Sequence, residues 1–293
     1  MIQTDRLSTP PRSASGVAID TCPLPLRAKG VIARPALARP QSLTESTFDY
    51  GSIPGGHYDR VLREGSPIRR LWHVSKFERV LDCLPQEKDQ AILDIGCFAG
   101  SFLSLAGVEQ FSRQLGVDIL PAQIVYANRR YGTSFRRFRH IKSIIHLEQI
   151  EETFDCVTLI EVIEHLRPEE LRVLFAQVAR ILRPGGKLVL TTPNYASAWP
   201  ILELILNRIG DVNYEHQHIT RFTRFNLQRR LAEFYPSMQS QFEVVLQTTT
   251  HFMTPFLAAL SFRAAHWLSR ALPHSRWRLP FGNLVLTMLA RRG

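Results

Sequence analysis

The chain has 293 residues, 45% hydrophobic and 21% charged, and a formal net charge of +10. That length supports one large domain, or one domain with additions, and the composition is that of a soluble globular protein. No run of about 18 apolar residues occurs, which excludes a membrane-spanning helix at the level of sequence.

Four cysteines (Cys22, Cys83, Cys97 and Cys156) show no paired spacing, so reduced thiols in a cytoplasmic protein without a metal cluster are expected. The positive charge is partly localised. No acid follows Glu243, whereas Arg263, Arg270, Arg276, Arg278, Arg291 and Arg292 do, and a second cluster holds Arg129, Arg130, Arg136, Arg137 and Arg139. Two readings stay open: a solvated basic surface, or attraction to a phosphorylated substrate, nucleic acid or anionic lipid, with peripheral membrane contact through the C-terminal region.

Residues 1–48 are rich in Pro, Ser, Ala and Arg without periodicity, and a loosely ordered arm is expected. It lacks the apolar core of a secretory signal, and Asp5, Asp20 and the prolines argue against a transit peptide. Residues 49–90 read as N-terminal cap helices. Pro67 to Leu84 places Ile68, Leu71, Trp72, Phe77, Val80, Leu81 and Leu84 on one helical stripe.

An alternation then begins. Strands are predicted at Ile92–Ile95, Gln114–Val117, Phe138–Ile145, Cys156–Ile160 and Lys187–Thr192, and helices at Gly100–Ala106, Pro121–Tyr131 and Pro168–Leu182. Alternating strands and helices imply an α/β, doubly wound, mostly parallel sheet. Residues 91–249 form this domain, interrupted by a cap insertion over 195–220 with an apolar helix at Pro200–Ile209. A helix at Phe225–Phe234 and a strand at Phe242–Thr248 follow. Residues 250–293 supply a helical insertion and a last strand, Asn283–Ala290, expected antiparallel to its predecessor. On that insertion Arg263, His266 and Arg270 share one face, and an apolar face carrying Phe256, Leu257, Leu260, Trp267 and Leu268 is expected to be buried against the domain.

The stretch AILDIGCFAGSF, Ala91 to Phe102, organises the rest. An apolar strand carrying Asp94 breaks into a loop with Gly96 and Gly100 before a helical pattern. Glycines let a ligand approach backbone N–H groups at such a turn. The spacing is G-x-x-x-G, not the G-x-G-x-x-G of dinucleotide sites, which disfavours a dehydrogenase. Asp94 would repel a pyrophosphate and suits a cationic amino group or sulfonium. Asp118 closes the second strand, where an acid can bind ribose hydroxyls.

DIGCFAG, GVD, FDCVTLIEVIEHL and LRPGGKLVLTTPN together resemble the class I S-adenosylmethionine-dependent methyltransferases, nearest the small-molecule branch that includes ubiquinone-pathway O-methyltransferases. The resemblance covers roughly residues 55–250. It implies a Rossmann-like seven-stranded fold with helical caps and S-adenosylmethionine held by Asp94, Gly96, Cys97, Gly100, Asp118, Ile119 and Glu161. It also implies that Arg69 or Arg70 can hold the cofactor carboxylate and that Tyr58 can line the pocket. Phe98 departs from the pattern, because the family usually has glycine there.

Methyl transfer to a hydroxyl needs alignment, exclusion of water, and a base or Lewis acid. Glu161, Glu164 and His165 form E-x-x-E-H, which a helical turn would place on one face. In the family such a motif is associated with a divalent metal, completed by a downstream histidine; His216 and His218 are candidates. The readings that stay open are a Mg, Mn or Zn site on Glu161, Glu164, His165 and His218, and metal-free base catalysis by His165 with His218 and Glu164. The expected reaction is O-methylation of a small-molecule, sugar- or lipid-linked acceptor. A metal-dependent RNA ribose methyltransferase and a non-catalytic nucleotide-binding protein on the same fold are the alternatives.

Overall fold

The computed structural model describes residues 50–209, 218–252, 254–271 and 280–293. The expected N-terminal arm, His216, Arg276 and Arg278 lie outside the described residues. Helices α1 (His57–Glu64) and α2 (Pro67–Leu81) precede strands β1 (Gln90–Ile95) and β2 (Phe111–Asp118). Next come α3 (Pro121–Tyr131), β3 (Arg136–His140), β4 (Phe154–Ile160), α4 (Pro168–Ile181) and β5 (Leu182–Pro193). The remainder carries α5 (Trp199–Ile209), α6 (Leu227–Phe234), α7 (Met238–Gln241), β6 (Phe242–Thr250), α8 (Thr254–Ala258), α9 (Phe262–Ala271) and β7 (Leu284–Arg291).

The seven strands form one sheet in the order β3-β2-β1-β4-β5-β7-β6. Neighbours from β3 to β5 pair in parallel, and β7 runs antiparallel to β6, as the sequence predicts, and also to β5. The period-two rule of strands sorts the core into two layers. Leu93 and Ile95 of β1 face α4 and α6, among Leu171, Phe175, Val178 and Leu231. Ile92 faces the other way, with Val80, Phe102, Leu103 and Ile124. Asp94 shares the side of Ile92. The chain leaves β1 toward β2 on one side and later adds β4 on the other. Ligands bind where winding reverses like this, outside the carboxyl ends of the strands.

Four elements differ from expectation. The strand predicted at Phe138–Ile145 runs instead over Arg136–His140, and Ile144–Gln149 is a 3-10 turn. Helix α2 stops at Leu81 and tightens into turns through Leu84, because the residue before Pro85 is disfavoured in helical conformation. The helix predicted at Gly100–Ala106 is instead a run of short turns. There the Ser104 hydroxyl donates to the Ser101 carbonyl at 2.7 Å, a local bond that competes with a helix, and the Ser101 hydroxyl donates to the distant Asp59 at 2.7 Å. The Pro-Gly-Gly turn lies within β5, where pairing jumps from Phe154–Leu182 to Cys156–Lys187.

The expected apolar face of the insertion is buried only in part: Phe256 packs against the cluster of Trp72, Trp199 and Leu284, and Leu257 against that of Leu71 and Ala265. His266 Nε2 lies 3.0 Å from both Glu78 oxygens, and Arg270 lies 3.8 Å from Asp82. Arg79 donates to the Ser269 carbonyl. His266 and Arg270 of the polar stripe therefore meet Glu78 and Asp82, whereas Arg263 is exposed, Trp267 is 70% and Leu260 86% exposed. No helix among the described residues is long and apolar enough to cross a membrane.

Phe175 is fully buried between the sheet and Tyr235. Phe175→Ala should lower stability by about 3–5 kcal/mol, read from the urea midpoint.

Candidate active site

The loop after β1 crosses the left-handed region three times, with φ of 77° at Gly96, 47° at Phe98 and 77° at Gly100. The two glycines are demanded by packing as well as by backbone angle. A Cβ on Gly96 would meet Val162 Cγ2 at 2.5 Å, and one on Gly100 would meet Phe138 at 2.6 Å. Phe98 carries a Cβ in the same region at a cost of roughly 1–2 kcal/mol. Two contacts hold it there: its N–H donates to Asp118 Oδ2 at 2.8 Å, and its ring meets Tyr58 edge-on at 4.8 Å. The Cys97 thiol is buried beneath the loop, and burial pushes its pKa well up. Cys97 therefore presents backbone, not sulfur, to the rim.

Asp118, 6% exposed at the end of β2, also accepts from Leu120 N–H at 2.9 Å through Oδ1. A carboxylate has about four acceptor sites, so about two stay open. Burial raises its pKa against those backbone bonds. Ile119 beside it is 48% exposed. Asp94, 2% exposed, accepts one hydrogen bond, from the Thr158 hydroxyl of β4 at 2.7 Å. Burial pushes its pKa up to about 7, the Thr158 bond opposes this, and nearby Asp118 adds to it. Such a site holds its proton near neutrality, and a nearby cation would favour the loss of that proton.

Two cap helices close over this rim. On α1, Asp59 is 1% exposed and accepts from Ser101 at 2.7 Å, Tyr126 at 2.8 Å, Tyr131 at 2.5 Å and Arg63 at 3.2 Å. Burial alone would raise its pKa, but these bonds together outweigh it and the net shift is downward. On α2, buried Lys76 pairs with Glu161, whose other oxygen accepts from Trp72 Nε1 at 3.1 Å. Burial opposes ionisation of Glu161, but Lys76 dominates with help from His73 and Trp72 and holds the pKa at about 2. His251, neutral because burial lowers its pKa to about 4, bridges Trp72 O at 2.9 Å and Thr250 Oγ1 at 2.7 Å.

Glu161 has a φ of 55° and ends β4; a 3-10 turn over Ile163–His165 follows. The expected single face of E-x-x-E-H does not form, because the left-handed residue breaks the helical register before the turn begins. Glu161 is committed to α2. Glu164 and His165 instead join His218, with ligand atoms within 4.8 Å of one another. Glu164 is fully buried, and among the described residues neither carboxylate oxygen has a hydrogen-bond partner of normal geometry. Burial pushes its pKa up to about 8, against the pull of His218 and of the nearby Thr192 hydroxyl. The His165 and His218 rings lie 5.1 Å apart. Thr220 fixes the returning segment, donating to the carbonyls of Glu164 at 2.9 Å and Leu166 at 2.7 Å.

The structure thus gathers Asp94, Gly96, Cys97, Gly100 and Asp118 around one loop, and Glu164, His165 and His218 around another. Arg69 reaches His57 at 3.5 Å, and Arg70 stacks on Phe262 of α9 at 4.9 Å. Asp59, Lys76, Tyr195 and Glu203 escape sequence reasoning, since each is an isolated polar residue in an ordinary helical or loop context.

The family profile described as a methyltransferase domain matches residues 69–234, more than half of the chain. Over 138 residues the chain is 32% identical to the ubiquinone biosynthesis O-methyltransferase of Pseudomonas fluorescens, covering 46% of this chain and 54% of that one. It is 28% identical over 138 residues to the counterpart from Paracidovorax citrulli, covering 46% and 53%. The chain spans about half the length of the curated relatives it matches. A chain from the Haloferax volcanii complex between the Trm112 methyltransferase activator and a methyltransferase superposes with a TM-score of 0.54 at 17% identity, covering 80% of this chain and 98% of that one. Magnesium protoporphyrin IX methyltransferase from Synechocystis PCC 6803 gives 0.52 at 15% identity, covering 80% and 93%. At those identities the likeness is one of fold.

Glu161 contributes stability that is complete above its unfolded pKa, about 4.3, and is lost as the pH falls toward its folded value of about 2. Lys76→Met should erase this acid-side limb and cost about 3 kcal/mol at neutral pH, measured by urea melts across that range.

Proposed function

The chain belongs to the methyltransferase-domain family, the class I S-adenosylmethionine-dependent methyltransferases, and from that premise we propose that it methylates a hydroxyl oxygen of a small, sugar- or lipid-linked acceptor. The names of the curated relatives support oxygen as the target. In this reading the cofactor lies along the first loop. Asp94 answers its cationic end, and the backbone from Gly96 through Cys97 to Gly100 follows its chain. Asp118 takes the ribose hydroxyls with its remaining acceptor sites, and Ile119 offers an apolar surface to the base. Glu161, held ionised, adds negative potential beside the sulfonium.

The observation that carries the acceptor side is Glu164, a buried carboxylate without a normal hydrogen bond, set beside two imidazoles. The acceptor hydroxyl gives its proton to His218 or His165. Its oxygen forms a bond to the methyl carbon as the carbon–sulfur bond breaks, and that electron pair neutralises the sulfonium. The closed cap excludes water from this displacement.

The same donors fit a divalent cation, because the orphaned Glu164 oxygens and two histidines form a set suited to Zn or Mn more than to Mg. When bound by Glu164, His165 and His218, such an ion would act as a Lewis acid that lowers the pKa of the acceptor hydroxyl. Glu161 is outside this set, because it is paired with Lys76.

Calorimetry with S-adenosylmethionine tests the donor side. Asp118→Ala should weaken binding by about 1–3 kcal/mol; unchanged affinity would overturn the ribose assignment. Only ionised Asp94 attracts the cation, so wild-type affinity should fall by up to about tenfold per pH unit below about 7 and level off above it. Asp94→Asn should flatten that profile. For the acceptor side, labelled methyl should be recovered as an alkali-stable ether. An alkali-labile ester or a methylated amine would refute oxygen-ether formation.

A further inference from the structure

Cap helix α5 reaches into the acceptor cluster with one charged side chain. Trp199 and Leu202 of α5 are buried against Trp72 and Leu284. Glu203, one residue beyond Leu202 and one turn beyond Trp199, is carried inward with them and is 16% exposed. Its Oε1 lies 2.9 Å from His218 Nδ1, and the imidazole is 7% exposed. Tyr195, just past β5, places its hydroxyl 2.7 Å from the same nitrogen and 3.4 Å from Glu203 Oε2. The Tyr195 backbone is fixed in turn, since its N–H donates to the Phe222 carbonyl at 2.9 Å. Arg221 stacks on the Tyr195 ring at 5.2 Å. Both Glu203 and Tyr195 therefore act on one ring nitrogen of His218, Nδ1, in a ring that also belongs to the Glu164–His165 cluster.

We propose that Glu203 is the positioning residue of the acceptor site: it accepts the His218 Nδ1 proton and so fixes the tautomer whose Nε2 lone pair faces the Glu164–His165 pair. This rests on the reading of His218 as base or ligand given above. A carboxylate is suited to the task because it only accepts, whereas a hydroxyl can either donate or accept. Tyr195 is then compelled to donate elsewhere, toward Glu203, so the carboxylate sets the proton direction of the whole triad. An imidazole that uses one nitrogen for catalysis or ligation commonly has its other nitrogen bound in this way. The device also ties the cap to the chemistry. The helix that roofs the acceptor carries the group that readies the base, so a displaced cap leaves His218 free to take the opposite tautomer.

The tautomer can be read without knowing the acceptor, from histidine ring nitrogen NMR on the full chain in alkaline buffer. Wild type and Glu203→Gln should both carry the proton on Nδ1, because the amide oxygen still accepts. In Glu203→Leu the Tyr195 hydroxyl becomes the donor, and the proton should move to Nε2. Zinc ion alone, titrated into each protein, should bind about 10–100-fold more weakly to Glu203→Leu. Glu203→Gln should keep most of the affinity. S-adenosylhomocysteine should bind all three alike, which separates orientation from unfolding. A Glu203→Leu protein that keeps the Nδ1 proton overturns the proposal. Wild type that fails to bind zinc while the tautomer still flips would sink the metal reading and leave Glu203 as the orienting group.

Discussion

The buried pair of Lys76 and Glu161 joins the parts of this molecule that matter most. Glu161 terminates the strand at the centre of the sheet, and Lys76 sits in the middle of the cap helix. Their union fixes α2 across the open end of the sheet, and Trp72, from the same helix, closes the other oxygen of Glu161. The left-handed backbone at Glu161 then sets the direction of the turn that delivers Glu164 and His165. Taking two charges out of water is expensive, and geometry of this kind is what offsets it. The insertion leans on the same helix from the far side, through Glu78, Arg79 and Asp82.

Three acids at or near one sheet edge differ in charge because their surroundings differ. Glu161 has a lysine and stays ionised. Asp94 has one hydroxyl, and burial pushes its pKa up to about 7. Glu164 has no normal hydrogen bond, and its burial outweighs the pull of His218 and pushes its pKa up to about 8. Their surroundings therefore leave Glu161 ionised, Asp94 poised between its two forms near neutrality, and Glu164 inclined to hold a proton. Environments that drive like groups apart mark division of labour in an active site.

Much of this was legible in the sequence. The alternation of apolar runs gave every strand, since the period-two and helical signals are strong over long segments, and Asp94, Gly96, Gly100 and Asp118 announced themselves by their place at strand ends. The failures have specific causes. Ser104 satisfies itself locally, and Ser101 is drawn to Asp59 of α1, which undoes a helix that the pattern of Phe102 and Leu103 supports. The E-x-x-E-H spacing suggested a helical face, but spacing does not reveal a residue of positive φ such as Glu161. The α9 stripe misled because its cations meet acids on α2 that lie far away in sequence. Lys76, Asp59 and Glu203 were invisible for the same reason: their partners are joined only by the fold.

The reversed strand has a consequence for how the sheet comes into being. β7 is made after β6, yet it lies between β5 and β6 and is bonded to both. During synthesis neither neighbour can pair with the other in the native order until residues 284–291 have left the ribosome. The nascent chain must therefore hold two bare strand edges apart, with Leu284, Val285 and Leu286 arriving last to fill the gap. Exposed edges of that kind invite pairing with other chains, so until β7 inserts the edges of β5 and β6 stand open to a foreign strand.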